Sequence, residues 1–169
     1  MAHLVDPGFE SFKLARAPIA GWYCYEVMYP SDPESALVTV TPDNHTKVEG
    51  QYSLRIAQLR PRPNYHGQAF LSQAVRLPKR GGNRSFNLAM QMRGSLNGPV
   101  LIHIYVWDGN VARVIGQVEA PVKMEWGETA LSFTVPNGYD RFGIWIYLPR
   151  DYEAVVWLDD VRLEAIKKN

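Results

Sequence analysis

Short apolar runs that alternate residue by residue, cut apart by Gly, Pro, Asn and Asp, constrain this chain more than any other feature. A two-residue period puts every second side chain on one face of an extended strand, whereas an amphipathic helix needs a period near 3.6. The alternating runs fall at 21–28, 37–41, 52–57, 69–77, 85–92, 100–107, 112–118, 129–135, 141–148 and 155–163, which predicts about ten strands. Breakers separate them: Pro42-Asp43-Asn44, the segment 79–83, Asn97-Gly98-Pro99, Asp108-Gly109-Asn110 and Pro136-Asn137-Gly138. Asp108-Gly109 marks a hairpin between 100–107 and 112–118. Segments 60–65 and 32–35, both containing proline, read as exposed loops. The expected class is all-β, a two-sheet antiparallel β-sandwich. The 169 residues suffice for one domain and its core, so 1–169 is read as a single unit.

Charge narrows the partners. Eighteen Lys and Arg against seventeen Asp and Glu leave a net charge of +1, without the basic footprint of a nucleic-acid or acidic-membrane binder. Nine Tyr, six Phe and five Trp supply flat apolar rings, many with a polar edge, which suit the surfaces of sugars. The single Cys24 excludes an intrachain disulfide and leaves the redox compartment open. The first residues show no basic stretch followed by an apolar one, and no segment approaches a membrane span. A secreted parent protein would therefore have lost its leader, or this chain would be a piece of it.

Alternation assigns faces. In 100–107, Ile102, Ile104 and Val106 share one side, while Leu101, His103, Tyr105 and Trp107 share the other. In 141–148, Phe142, Ile144, Ile146 and Leu148 point one way and Arg141, Gly143, Trp145 and Tyr147 the other. In 85–93, Phe86, Leu88, Met90 and Met92 form the core set opposite Asn87, Ala89, Gln91 and Arg93. If the three strands share a sheet, its outer face combines Tyr105, Trp107, Trp145 and Tyr147 with Gln91, Arg93, His103 and Arg141. Rings of this kind pack on the C–H faces of pyranoses while amide and guanidinium groups bond the hydroxyls. Same-face neighbours on a strand lie about 7 Å apart, so an extended glycan suits the face better than a single sugar. The alternative is that a loop or second layer covers these rings.

Catalysis finds little support. Glycoside hydrolysis uses two facing carboxylates, and the outward positions just named contain neither Asp nor Glu. His3, His45, His66 and His103 lack metal-ligand spacing, and no nucleophile motif occurs. The expectation is a protein that is not an enzyme.

Three short signatures resemble the carbohydrate-binding modules of families 4, 9, 16 and 22. They are Asp6-Pro7-Gly8-Phe9-Glu10 followed by Gly21-Trp22, then Glu49-Gly50-Gln51-Tyr52-Ser53-Leu54-Arg55-Ile56, and finally Val156-Trp157-Leu158-Asp159-Asp160-Val161-Arg162-Leu163. In order, they span almost the whole chain. The resemblance implies a galactose-binding-like jelly roll, secreted or at the cell surface, monomeric and attached to a polysaccharide-degrading enzyme. It maps Tyr25 and the outward set of 141–148 onto a sugar groove, with Gln73 either a hydroxyl partner or merely structural and Tyr65 brought to the rim by the 60–66 loop. Trp22 is expected at the groove's end or in the core. Arg93 and Arg141 leave an acidic polysaccharide open beside a neutral glucan or xylan.

The resemblance also implies a structural calcium held by the Gly8 carbonyl, the Glu10 side chain, Glu49, the Tyr52 carbonyl and Asp159. Alternation puts Asp159 on a face with Trp157, Val161 and Leu163, read as inward, where a carboxylate needs a cation or several donors. Backbone amides or a nearby Arg or Lys would meet the same need. Two rival functions stand beside glycan binding. One is a galactose-binding-like domain that docks a protein or another domain through the same face; the other is a small jelly-roll lyase or hydrolase.

Overall fold

The computed structural model describes residues 4–5, 7–10, 21–24, 38–58, 70–78, 84–96, 98–148 and 153–166. Within them lie ten strands: β1 (Tyr23–Cys24), β2 (Val38–Asp43), β3 (Ser53–Gln58), β4 (Phe70–Arg76), β5 (Ser85–Leu96), β6 (Pro99–Asp108), β7 (Val111–Pro121), β8 (Gly127–Thr134), β9 (Arg141–Tyr147) and β10 (Ala154–Ala165). Each forms where the alternating pattern places one, because only an extended backbone sends every second apolar side chain to the same side.

Two five-stranded antiparallel sheets result. The first runs β1-β4-β9-β6-β7 and the second β2-β3-β10-β5-β8. Their inner faces are the alternating apolar sets. Val100, Ile102, Ile104 and Val106 of β6, with Phe142, Ile144 and Ile146 of β9, face Phe86, Leu88, Met90 and Met92 of β5 and Val156 and Leu158 of β10; all are buried. Phe142 joins the layers, 5.5 Å from Phe86 and 5.1 Å from Phe133 between ring centroids. Trp22 is buried against Phe9 at 5.5 Å and belongs to the core.

Two expectations are corrected here. β5 is not in the sheet of β6 and β9: it pairs with β10 and β8 on the opposite layer, so Gln91 and Arg93 point away from the aromatic face. Alternation tells inside from outside but not which sheet a strand joins. The second correction concerns β10. Its core-facing residues are Ala154, Val156 and Leu158, with Trp157 half-exposed on the outer side, and a bulge between Asp159 and Arg162 then turns Val161 inward. Asp159 is buried, yet it starts from Trp157's outer side, and the extra residue of the bulge is what breaks the period.

Candidate functional site

Register builds the site on the outer face of the first sheet. Trp145 of β9 stands between Ser72 of β4 and His103 of β6, and Gly143 stands between Ala74 and Tyr105. Across β6 the face continues onto β7, where Gln117 lies opposite His103 and Glu119 opposite Leu101. A bulge at Ile104/Tyr105 places Val114 opposite Tyr105. At the other edge Tyr23 of β1 stands opposite Ser72.

The four expected rings meet as one surface. Tyr105 and Trp145 are 4.4 Å apart between centroids, Trp145 and Tyr147 5.9 Å, and Trp107 and Trp145 6.4 Å. His103 joins at 5.2 Å from Tyr147, and its Nδ1 is hydrogen-bonded to the Tyr105 hydroxyl at 3.0 Å. That hydroxyl in turn bonds the Tyr147 hydroxyl at 3.2 Å. Arg141 lays its guanidinium over Trp107 at 5.7 Å. Tyr105, Trp107 and Trp145 are half-exposed, so their faces are open to contact; Tyr147, at 8 % exposure, instead buttresses Tyr105.

Gly143 is why Trp107 can lie across β9. A Cβ there would meet Trp107 Cη2 at 2.5 Å and Trp145 Nε1 at 3.1 Å. Gly143→Ala is therefore expected to lift Trp107 off the sheet and shift tryptophan fluorescence, at a stability cost of about 1 kcal/mol. Unchanged emission would show that the ring does not need this seat.

The middle of the face is uncharged. Burial depresses the His103 pKa, keeping the imidazole neutral at pH 7, and burial followed by the Tyr105 hydrogen bond raises that of Tyr147. Charge gathers at the ends. Arg76 and Arg141 are register partners at one, and Glu119 is exposed near the other.

Past Trp107 the face runs into an open cavity of about 550 Å³, lined by Trp107, Asp108, Asn137, Tyr139, Asp140 and Arg141 among others. The Tyr139 hydroxyl donates to Asp108, whose carboxylate also lies 3.7 Å from Arg113 Nε. The bond to Asp108 holds the Tyr139 pKa above its ordinary value. Glu119 and Asp108 sit at opposite ends of the β6/β7 hairpin, roughly 20 Å apart at about 3.3 Å per residue. That is well beyond the roughly 5–9.5 Å that hydrolytic carboxylate pairs span. Asp108 and Asp140 are the two acids that share the cavity.

Gln73 leaves the groove. It points inward at 3 % exposure, accepting from the Val5 amide at 2.9 Å and donating to the Val5 carbonyl at 2.8 Å, so it ties the N-terminal segment to β4. Its alternation with Leu71 and Val75 carried that signal in the sequence. Tyr25 and Tyr65 lie outside the described residues. Tyr23, Gln117, Glu119, Arg76 and the Gly143 seat were missed; Tyr23, Arg76 and Gln117 were legible, since each falls within an alternating run.

The residues expected around calcium gather at the turn 44–52. Asp159, fully buried, accepts from the amides of Val48 (2.7 Å), Glu49 (3.3 Å) and Asp160 (2.7 Å). Glu10 accepts from the Gln51 amide at 2.8 and 3.0 Å and from the Tyr52 amide at 3.2 Å. Gly50, at φ 64°, leaves room for that carboxylate: a Cβ there would come within 2.0 Å of Glu10 Oε1. Among the described residues, no three His, Cys, Asp or Glu side chains converge as metal ligands. A hard cation would have to use the remaining lone pairs of the two amide-bound carboxylates together with loop carbonyls.

No family model matches the sequence, and neither does any curated protein. Solved structures match the fold over nearly its whole length. A family 4 carbohydrate-binding module aligns at TM-score 0.66 and 12 % identity, covering 96 % of this chain and 99 % of that one. A family 61 module in complex with β-1,4-galactotriose aligns at 0.60 and 19 %, covering 98 % and 99 %. A cyclase from Fischerella sp. TAU, in complex with an indolyl butanone, aligns at 0.64 and 18 %, covering 98 % of each chain. The fold is thus the jelly-roll β-sandwich of carbohydrate-binding modules, one that an enzyme also uses.

Proposed function

We propose that the outer face of the first sheet binds a polysaccharide or oligosaccharide chain without altering it. The carrying observation is the continuous platform of Tyr105, Trp145 and Trp107, half-exposed and flanked by His103, Arg141 and Gln117. Two or three sugar rings stacked there, less the ordering cost of a flexible glycan, give roughly micromolar to millimolar affinity. The domain would be a non-catalytic module, secreted or at the cell surface, that keeps an appended polysaccharide-degrading enzyme near its substrate. Calcium belongs to the same reading: Glu10, Glu49 and Asp159 with the Gly8 and Tyr52 carbonyls would hold it, pinning the 44–52 turn against β10.

The test is affinity electrophoresis through a panel of neutral and acidic polysaccharides, run with and without a chelator, with an assay of reducing ends on the same mixtures. Retention without release of reducing sugar is expected, with the chelator lowering the melting midpoint of the free protein. Binding to no glycan by folded, calcium-loaded protein would overturn the reading. An unchanged midpoint would remove calcium alone. Asp108 and Asp140 in one cavity favour a second reading, hydrolysis or lysis at the groove's end, which release of reducing ends would establish.

A further inference from the structure

The opposite face of the sandwich carries its own row of rings and cations. On the second sheet Trp157 of β10 stands in register between Arg55 of β3 and Arg93 of β5. The guanidinium of Arg55 lies 5.8 Å from the Trp157 ring and that of Arg93 5.6 Å, with Arg93 also 6.0 Å from Trp126, just before β8. Guanidinium and indole thus alternate across four adjacent chain segments. At about 4.8 Å per step the row is about 14 Å long, and all four side chains are half-exposed.

Cations on a sheet surface are normally met by neighbouring acids, and here they are not. Arg55 and Arg93 make no ion pair or side-chain hydrogen bond among the described residues, and Arg93 Nε is buried without a partner. Three of the acids nearby are committed elsewhere. Glu128 and Asp160 pair with Arg162, and Asp43 accepts the Trp157 indole N–H at 2.8 Å together with the His45 and Thr46 amides. Beyond Trp126 the row opens into a cavity of about 310 Å³ that includes Lys123, Glu125 and Thr129.

We propose that this row is a second glycan site, separate from the aromatic groove, and that it takes an acidic polysaccharide built from uronic acids. The two free guanidinium forks bind carboxylates, for which their planar donors are matched in geometry. The exposed parts of Trp126 and Trp157 take the C–H faces of the same chain. A row about 14 Å long that carries two guanidinium groups outside any ion pair among the described residues fits a linear polyanion. Nucleic acid, the other linear polyanion with stacking faces, is disfavoured by the chain's net charge of +1.

Affinity electrophoresis through polygalacturonate tests this, using the wild type, Trp145→Ala, Arg55→Gln and Arg93→Lys, with fully methyl-esterified polymer and single-stranded DNA as comparisons. Polygalacturonate is expected to retain Trp145→Ala as well as the wild type, which separates this site from the groove. Arg55→Gln and Arg93→Lys should each weaken retention about tenfold with the melting midpoint of Arg55→Gln unchanged, and esterification should remove retention. Loss of retention in Trp145→Ala, indifference to both arginine changes, or equal retention by DNA would overturn the proposal.

Discussion

With glycan binding on the first sheet as proposed, Trp145→Ala will weaken retention about thirtyfold or more. The indole stands at the centre of the platform, touching Tyr105 at 4.4 Å and lying between Trp107 and Tyr147, so its loss breaks the ring surface in two. Central aromatic anchors contribute about 2 kcal/mol or more to binding, roughly thirtyfold, which moves a micromolar interaction to tens of micromolar and carries a weak one past the millimolar range. The fold should survive, because the core neighbours Ile144 and Ile146 point the other way and stay buried. Its midpoint of unfolding should correspond to a loss of about 1 kcal/mol. Wild-type retention by both Trp145→Ala and Trp107→Ala would remove the groove.

Asp159→Ala should give the largest stability loss of any single outer-side substitution. Three backbone amides, those of Val48, Glu49 and Asp160, converge on a carboxylate with no solvent exposure. Alanine leaves all three donors without their acceptor and frees the turn that closes over β10, at about 3–5 kcal/mol. Against a typical total of 5–15 kcal/mol, that shift is plain in a urea titration as a lower midpoint with an unchanged slope. Asp159→Asn, which keeps one carbonyl oxygen, should lose roughly half as much. A change below about 1 kcal/mol in the alanine variant would mean that the amides find water or other acceptors.

How far each residue could be read in advance follows from the range of the interaction that places it. Phe142, Ile144, Ile146 and their outward counterparts Arg141, Trp145 and Tyr147 obey the period of the strand, a local property of the backbone. Gln73 obeyed it too, and its inward position was readable beside Leu71 and Val75; the family resemblance pointed the wrong way. Arg93 also faced outward as expected, but on the wrong sheet, because a strand's pattern is the same whichever layer it joins. On β10 it was Trp157, expected inward, that stands half-exposed on the outer side, and the bulge after Asp159 hid the change of side; Asp159 itself is buried as expected. Tyr147 pointed as expected, yet only its neighbours determine that it is buried.

Taken alone, the amino-acid order determined the all-β class, the ten strands and the inner and outer side of most positions, because these depend on contacts a residue or two apart. Tertiary structure decided which strands lie side by side. It brought Tyr105, Trp107 and Trp145 together over Gly143, carried Arg93 to Trp157 on the far face, and folded a distant turn over Asp159. Those pairings arise from long-range register between strands, and no local period encodes it.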